Sequence, residues 1–451
     1  MKLAIIGGGG VRTPLLVRGI LKRLPQLPIR QVSLFDVDQE RLELIGSVVQ
    51  ELVAEAGRGP ALEFTTNPDL AMSGADFVLC SIRVGNEEAR VADERIPLKY
   101  QVLGQETTGP GGFAMALRTI PVVADYAQRV AQLAPGAWFI NFTNPAGLVA
   151  QAMAMRGLPR FIGICDGPGA LYRSVAHHLG TSSHELRFNY FGLNHLGWVK
   201  AVEHQGKDVL GELIDQAEAL VKQEGLKMFP PDLLRSLSLL PNEYLYYFYF
   251  RREAVANILQ AGRTRGEQVA ELSRHLFTSL RQAKRNPEPG AALRIYQNYI
   301  GTRHGSYMKA ETGQRIAPTP PPESEEGSGY DEVALGVVQA ISRDQGRIMT
   351  LNVPNQGAMR ELSSDDVVEV PCVVDRNGPT PLAVGDVPRA PLGLIQQVKA
   401  FERLTAQAAL EGSYRSALAG LAAHPLVPSY SIAKSILNDY LQAHHRWIPW
   451  S

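Results

Sequence analysis

The feature that most restricts the fold of this chain is an apolar run, a helical stretch and a second apolar run, all between Trp138 and Cys165. Trp138–Phe142 has strand length and ends among the polar residues Asn141, Thr143 and Asn144. Pro145 closes it, because proline cannot donate to a ladder. The stretch 146–156 has helical character, and Phe161–Cys165 is again short and apolar before Cys165-Asp166-Gly167-Pro168. Strand, helix, strand is a βαβ unit, whose strands run parallel. In such sheets the working groups sit just beyond the carboxyl ends of the strands. Asn144, Cys165 and Asp166 are therefore expected side by side at one sheet edge. A further strand-like segment, Phe188–Phe191, leads into a loop with Asn194 and His195.

The N-terminus has the same character. Lys2–Ile6 reads as a buried strand, followed by Gly7-Gly8-Gly9-Gly10-Val11-Arg12 and a helical pattern through Leu24. Thr13 is the expected N-cap, with Pro14 at the first helical position. A glycine loop between strand and helix turns backbone N–H groups toward a pyrophosphate. Gly7, Gly9, Gly10, Val11 and Arg12 are thus candidate cofactor residues. The next strand, Gln31–Phe35, ends at Asp36, an acidic residue suited to a ribose diol, which favours NAD over NADP. The loop departs from G-x-G-x-x-G, since Arg12 stands at the third glycine and Asp36 comes later than usual. After the strand-like Ala75–Ser81, the segment 82–118 is rich in charge and glycine. It reads either as a solvated loop or as a ligand site built on Arg83, Arg90, Glu106 and the turn 107–112.

Beyond Trp198 the α/β rhythm weakens. Val209–Leu226 reads as helical, and the tyrosine-rich Leu240–Phe250 reads as core or interface packing. The proline, serine and glutamate stretch 317–329 predicts a surface loop. Asp331–Asp344 predicts a helix, Arg347–Val353 and Val367–Val374 predict strands, and Pro371 predicts that the second of these is an edge. Residues 390–421 and Ser431–His444 read as amphipathic helices.

Composition narrows the function classes. A chain of 451 residues is two or three domains or one large α/β unit. Lysine plus arginine and aspartate plus glutamate both number 45, which argues against a nucleic-acid partner. The three cysteines, Cys80, Cys165 and Cys372, form no disulfide framework and fit a reducing compartment. No apolar run reaches about 18 residues, and the N-terminal one is too short for a signal peptide. A cytoplasmic protein without a membrane partner is expected.

Cys165 and His195 form the cysteine–histidine pair on ligand-like loops. One thiolate and one imidazole make an open metal shell that water or substrate oxygens would complete. A half-buried cysteine and a backbone-bonded histidine is the plainer reading of the spacing. A dehydrogenase, with His195 as proton relay and Arg90 holding a carboxylate, is a third.

The chain resembles glycoside hydrolase family four, the NAD- and metal-dependent glycosidases. The segments that carry the resemblance are GGGGVRTP (7–14), RVGNEEARVADERIPLKYQVLGQETTGPGG (83–112), NFTNPAG (141–147), CDGP (165–168) and GLNHLGW (192–198). LPNEYLYY (240–247), TRGE (264–267), VEVPCVV (368–374) and RNGPTPLAVGDVP (376–388) extend it through the chain. It implies an α/β fold: an N-terminal Rossmann-like doubly wound sheet, as in lactate and malate dehydrogenases, with a C-terminal α+β domain. The expected division is residues 1–195 for NAD binding and 196–451 for catalysis and oligomerisation. It further implies that Cys165 and His195 hold Mn²⁺ or another divalent metal. Asp166 matches the proton donor, Tyr244 the general base and Glu106 an acidic residue that raises that base's basicity. Arg90, Asn144, Asn194 and Arg265 match substrate positions, and Arg83 joins the cofactor set. One departure is CDGP, since members that cleave β-linked phosphosugars often carry Asn after the cysteine and an α-specific group carries Asp.

The implied mechanism oxidises the sugar at C3 with NAD⁺, which acidifies the C2 proton. Tyr244 then removes that proton, the C1 leaving group is eliminated, water adds, and the hydride returns. The expectation is a 6-phospho-β-glucosidase acting on a phosphorylated disaccharide or glucoside as a homodimer or homotetramer. The alternatives are a 6-phospho-α-glucosidase of the same family, an NAD-dependent sugar or hydroxyacid dehydrogenase, and an NAD-binding regulator with a decayed site.

Overall fold

Six short strands run parallel: β1 (Lys2–Ile6), β2 (Gln31–Phe35), β3 (Ala61–Thr65), β4 (Phe77–Cys80), β5 (Trp138–Asn141) and β6 (Phe161–Gly163), apolar and mostly buried except for the half-exposed edge strand β3. Continuous apolar runs suit strands covered by helices on both faces. Their order is β3-β2-β1-β4-β5-β6, the dinucleotide-fold order, with its reversal between β1 and β4. The computed structural model describes residues 1–304, 308–313, 329–448 and 450. The expected surface loop 317–329 lies outside these, apart from Gly329.

The second half of the chain extends the same sheet. β11 (Arg347–Pro354), β12 (Val367–Asp375) and β13 (Gly378–Pro381) add antiparallel strands beyond β6, giving nine in all. A smaller sheet joins β7 (Leu186–Leu193), β8 (Leu196–His204), β9 (Lys207–Asp208) and β10 (Leu240–Pro241). The junction 195/196 falls in the tight turn between β7 and β8, whose last pair is Leu193 with Leu196. Among the described residues no helix is long and apolar enough to cross a membrane.

Four local expectations need correction. Thr13 is not the N-cap: the helix is Thr13–Arg23 with Arg12 at the cap and no side-chain cap bond. The Thr13 hydroxyl instead turns back to the Gly7 carbonyl at 3.3 Å. Of the two readings of segment 82–118, the solvated loop does not hold: the helices Asn86–Leu98 and Gly109–Leu133 bury several of its charges in pairs, while Glu88 and Lys99 stay exposed. Arg118 and Asp93, both with fully buried side chains, pair at 2.5 Å, and His444 Nε2 joins Asp93 at 2.8 Å. Val209–Leu226 is not one helix but two short ones, Leu210–Asp215 and Ala217–Leu220, followed by turns. β12 is not an edge, since β13 pairs with it. Pro371 is tolerated there because its carbonyl faces Leu382 N at 2.9 Å, just past the end of β13, so its missing N–H breaks no ladder bond.

One apolar core runs through the nine-stranded sheet and its covering helices. A second packs the helix Gln39–Glu55 against Arg265–Arg285 and Ala291–His304. Tyr296, in that second core, donates its hydroxyl proton to the Val11 carbonyl at 2.7 Å. The glycine loop is thereby tied to the second half of the chain.

Candidate active site

The carboxyl ends of β1, β2, β4 and β5 open on one cleft of about 460 Å³. Gly7, Gly10, Val11, Arg12, Asp36, Arg83, Arg90, Glu106 and Asn144 all line it. Gly7 has φ +92, and a Cβ there would lie 2.3 Å from the Ser81 carbonyl oxygen. Only glycine lets the loop lie this close to the end of β4. Gly9 is not among the lining residues; it donates its N–H to Asp36 Oδ2 at 2.9 Å. Asp38 N–H donates to Asp36 Oδ1 at 3.0 Å. Burial raises the Asp36 pKa, and these two bonds work against the rise. About half the carboxylate's acceptor sites remain for a diol. A glycine loop, a helix start and an acidic residue on the next strand, all on one cleft, fit a dinucleotide.

Cys165, Asp166, His195 and Tyr244 form a second group, off the wall of that cleft. His195 is the last residue of the β7–β8 turn, at φ 61. Its Nε2 lies 3.5 Å from Cys165 Sγ. Metal bonds of about 2.3 Å to sulfur and about 2.1 Å to nitrogen, at angles between square and tetrahedral, place the two atoms about 3.1 to 3.6 Å apart. The pair therefore fits one divalent cation. Among the described residues no group of three His, Cys, Asp or Glu side chains is placed to hold a metal, so the remaining positions would be open. Burial lowers the His195 pKa to about 3, so the imidazole is neutral, as a ligand must be. Burial, then the fields of Glu369 and Asp166, push the Cys165 thiol well above its ordinary value. A cation would reverse that balance.

Tyr244 lies flat on His195, with ring centres 3.7 Å apart and planes 12° apart. Asn242 caps its turn by accepting Tyr244 N–H at 3.0 Å. The two groups of residues are coupled through Arg12. Its guanidinium packs over Phe142 at 4.9 Å and Tyr330 at 5.3 Å. Burial opposes its charge, but attraction to Asp166, then Tyr330, Glu106 and Tyr244, more than offsets this.

Glu106 is gripped by Arg83 at 2.6 Å and Arg90 at 3.0 Å. Burial alone would raise its pKa; Arg83, Arg90 and Arg303 together bring it down to about 2. Arg90 also pairs with Glu94 at 2.8 Å, and Glu94 accepts Gly266 N–H at 2.6 Å, which draws Arg265 toward Arg90. Arg265 donates to the Arg303 carbonyl at 2.8 Å. Burial, then Arg90 and Arg303, lower the Arg265 pKa, the signature of cations gathered around a place for an anion. Asn194 is placed differently from the other substrate candidates. Its amide donates to Glu369 at 3.0 Å and accepts Gly147 N–H at 3.3 Å.

Sequence reasoning missed Arg303 and Glu369. Arg303 lines the cleft from the helix Ala291–His304. A cation on an amphipathic helix carries no sign of which way it faces. Glu369 lies within VEVPCVV, where a charge between apolar residues of a strand was the available signal.

The sequence profile described as Family 4 glycosyl hydrolase matches residues 2–181, and that of the Family 4 glycosyl hydrolase C-terminal domain matches residues 190–427. A 6-phospho-beta-glucosidase of Escherichia coli (strain K12) is 34% identical over 463 residues, covering 100% of this chain and 96% of that protein. A 6-phospho-beta glucosidase from Thermotoga maritima, solved with manganese, NAD⁺ and glucose-6-phosphate, superposes with a TM-score of 0.82 at 28% identity, covering 99% of each chain. A 6-phospho-alpha-glucosidase from gut microorganisms, solved with NAD and Mn²⁺, gives a TM-score of 0.84 at 26% identity, covering 99% of this chain and 98% of that one. The glycine loop, the cysteine–histidine pair and the match along both halves of the chain lead to one assignment: the protein belongs to glycoside hydrolase family 4.

Proposed function

We propose that the protein hydrolyses 6-phospho-β-glucosides with the help of NAD and Mn²⁺ or another divalent metal. The observation that carries this is the stack of Tyr244 on His195, itself 3.5 Å from Cys165 Sγ, beside a cleft that joins a dinucleotide loop to a cluster of arginines. It is supported by family membership and by the phosphoglucosidases named above. Gly7, Gly10, Val11, Asp36 and Arg83 would hold the NAD, and Cys165 and His195 the metal. When bound, NAD supplies a hydride acceptor and donor, and the metal a Lewis acid for the sugar hydroxyls.

The chain's own residues do the rest. Arg90 and Arg265, with Arg303, hold the sugar phosphate, and Asn144 orients the ring. Tyr244 accepts the C2 proton. Its ring is fixed by His195, and the Arg12 guanidinium favours a phenolate there. Asp166 delivers a proton to the leaving oxygen. Glu106, locked between Arg83 and Arg90, keeps those cations in place and places a negative charge near the base. The assembly is a homodimer or homotetramer, which light scattering reads directly.

The α-linked substrate is the second reading, favoured by Asp166 directly after Cys165. Paired 6-phospho-β- and 6-phospho-α-glucosides with one aglycone decide between them by kcat/KM. The reaction class is tested with substrate deuterated at C2. The label should wash out into solvent during turnover, and NADH should not accumulate. Product that retains its deuterium, or NADH released in step with product, would overturn the elimination route in favour of a dehydrogenase.

A further inference from the structure

The segment VEVPCVV has no part in the chemistry described so far, yet it buries a carboxylate at the site. Glu369, on β12, is 1% exposed. Its Oε1 accepts hydrogen bonds from Asn194 Nδ2 at 3.0 Å and Asn352 Nδ2 at 3.0 Å. Its Oε2 accepts from the Tyr190 hydroxyl at 2.9 Å. All three donors are neutral. Lys399, the buried ammonium of the same core, is committed to Glu402, Gln151 and the Val367 carbonyl. Among the described residues no cation pairs with it, and burial pushes the Glu369 pKa up to about 7 against the pull of these three bonds, so a cation nearby would favour its charged form.

The position of Glu369 says where that cation belongs. Asn194 immediately precedes His195 in the two-residue turn between β7 and β8. The other end of the Asn194 amide accepts Gly147 N–H at 3.3 Å, at the start of the helix that leaves β5. Glu369 therefore grips the turn that presents His195. Carboxylates one layer behind metal ligands orient those ligands and add charge that the ion balances.

We propose that Glu369 is an outer-sphere carboxylate of the metal centre: through Asn194 it holds the His195 turn in its liganding position, and it supplies negative charge beside a divalent cation on Cys165 and His195. Glu369 is a positioning residue, not a catalytic one. The proposal rests on the assignment of Cys165 and His195 as ligands, and the experiment separates the two.

The full chain, stripped of metal and saturated with NAD⁺, is titrated with Mn²⁺, and free ion is followed by electron paramagnetic resonance. The variants are Glu369→Gln, Glu369→Asp and Cys165→Ser, each with NAD⁺ affinity and thermal midpoint measured alongside. Glu369→Gln keeps the shape and removes the charge, and the Tyr190 hydroxyl can turn to accept from the new amide. Mn²⁺ affinity should fall by about 10- to 100-fold, as for other second-layer partners, with NAD⁺ affinity unchanged. Glu369→Asp keeps the charge but shortens the reach to Asn194, and should lose less. Wild-type Mn²⁺ affinity in folded Glu369→Gln overturns the proposal. So does a parallel fall of NAD⁺ affinity, metal affinity and thermal midpoint, which would mark a packing role. If Glu369→Gln does not fold, Glu369→Asp decides: a selective loss of metal affinity supports the proposal and wild-type affinity ends it. Cys165→Ser tells the two readings apart. If it binds Mn²⁺ like wild type, the ligand assignment itself fails. If it loses the metal while Glu369→Gln keeps it, only the role of Glu369 fails.

Discussion

At the scale of single residues, position within an aromatic cluster separates chemistry from packing. Tyr244, Tyr246 and Tyr247 lie within one short stretch, but only Tyr244 stacks on His195. Tyr247 is 1% exposed, and burial pushes its phenol well above the ordinary value. A phenol in that condition stays protonated and serves as packing. Tyr244→Phe keeps the stack on His195 and removes only the proton acceptor. It should leave the unfolding midpoint nearly unchanged while kcat falls by about 100-fold or more. Tyr247→Phe should cost turnover far less. Equal losses of kcat in the two variants would remove Tyr244 from its role.

At the scale of elements, the helix Arg265–Arg285 is set by a reciprocal cap. Thr264 Oγ1 accepts Glu267 N–H at 3.3 Å, and Glu267 Oε2 accepts Thr264 N–H at 2.9 Å. The same Glu267 pairs with Arg95 at 2.6 Å, on the helix that carries Arg90 and Glu94. The cap therefore fixes where Arg265, the first residue of the helix, stands relative to Arg90. Thr264→Ala should cost about 1 kcal/mol of stability in urea unfolding. KM for the phosphosugar should rise severalfold while NAD⁺ affinity holds. An unchanged KM would show that Arg265 is placed by something other than its cap. No local pattern in the sequence links Glu267 of TRGE to Arg95, because the two lie 172 positions apart.

At the scale of the whole molecule, buried neutral histidine ties stability to pH. His424 is 2% exposed, packs edge-on against Phe401 and accepts Leu426 N–H at 3.1 Å on Nδ1. Burial lowers its pKa from 6.5 to about 3. Between those values the unfolded chain holds a proton that the folded chain does not. Stability is therefore whole above pH 6.5 and falls as pH drops toward 3, by at most about 1.4 kcal/mol per pH unit for this group. Glu106, depressed from 4.5 to about 2, has the same sign and adds its loss below pH 4.5. Because Glu369, raised from 4.5 to about 7, acts with the opposite sign over this range, the test is the difference between chains: from pH 7 to pH 5 the urea midpoint of the wild type should drop relative to that of His424→Gln. A variant slope equal to the wild-type slope would discard the assignment.

The sequence by itself determined the parallel βαβ framework, the glycine loop of β1, Asp36 at the end of β2, and the placing of Asn144, Cys165 and Asp166 at strand ends. Each of these follows from local rules: apolar runs of strand length, residues that stop a ladder, and glycine where backbone must lie close to backbone. Only the tertiary structure decided that Arg90, Asp93, Glu94 and Arg118 of the segment 82–118 pair in the interior, because charges at helical spacing look alike whether they face water or one another. It also decided that Tyr244 lies on His195, that Arg303 faces the cleft and that β12 carries Glu369 behind the Asn194–His195 turn. These residues come from separate elements, and their meeting depends on how an antiparallel extension packs onto a parallel sheet. Sequence periodicity records which face of an element is buried, and it holds no information about which distant element covers that face.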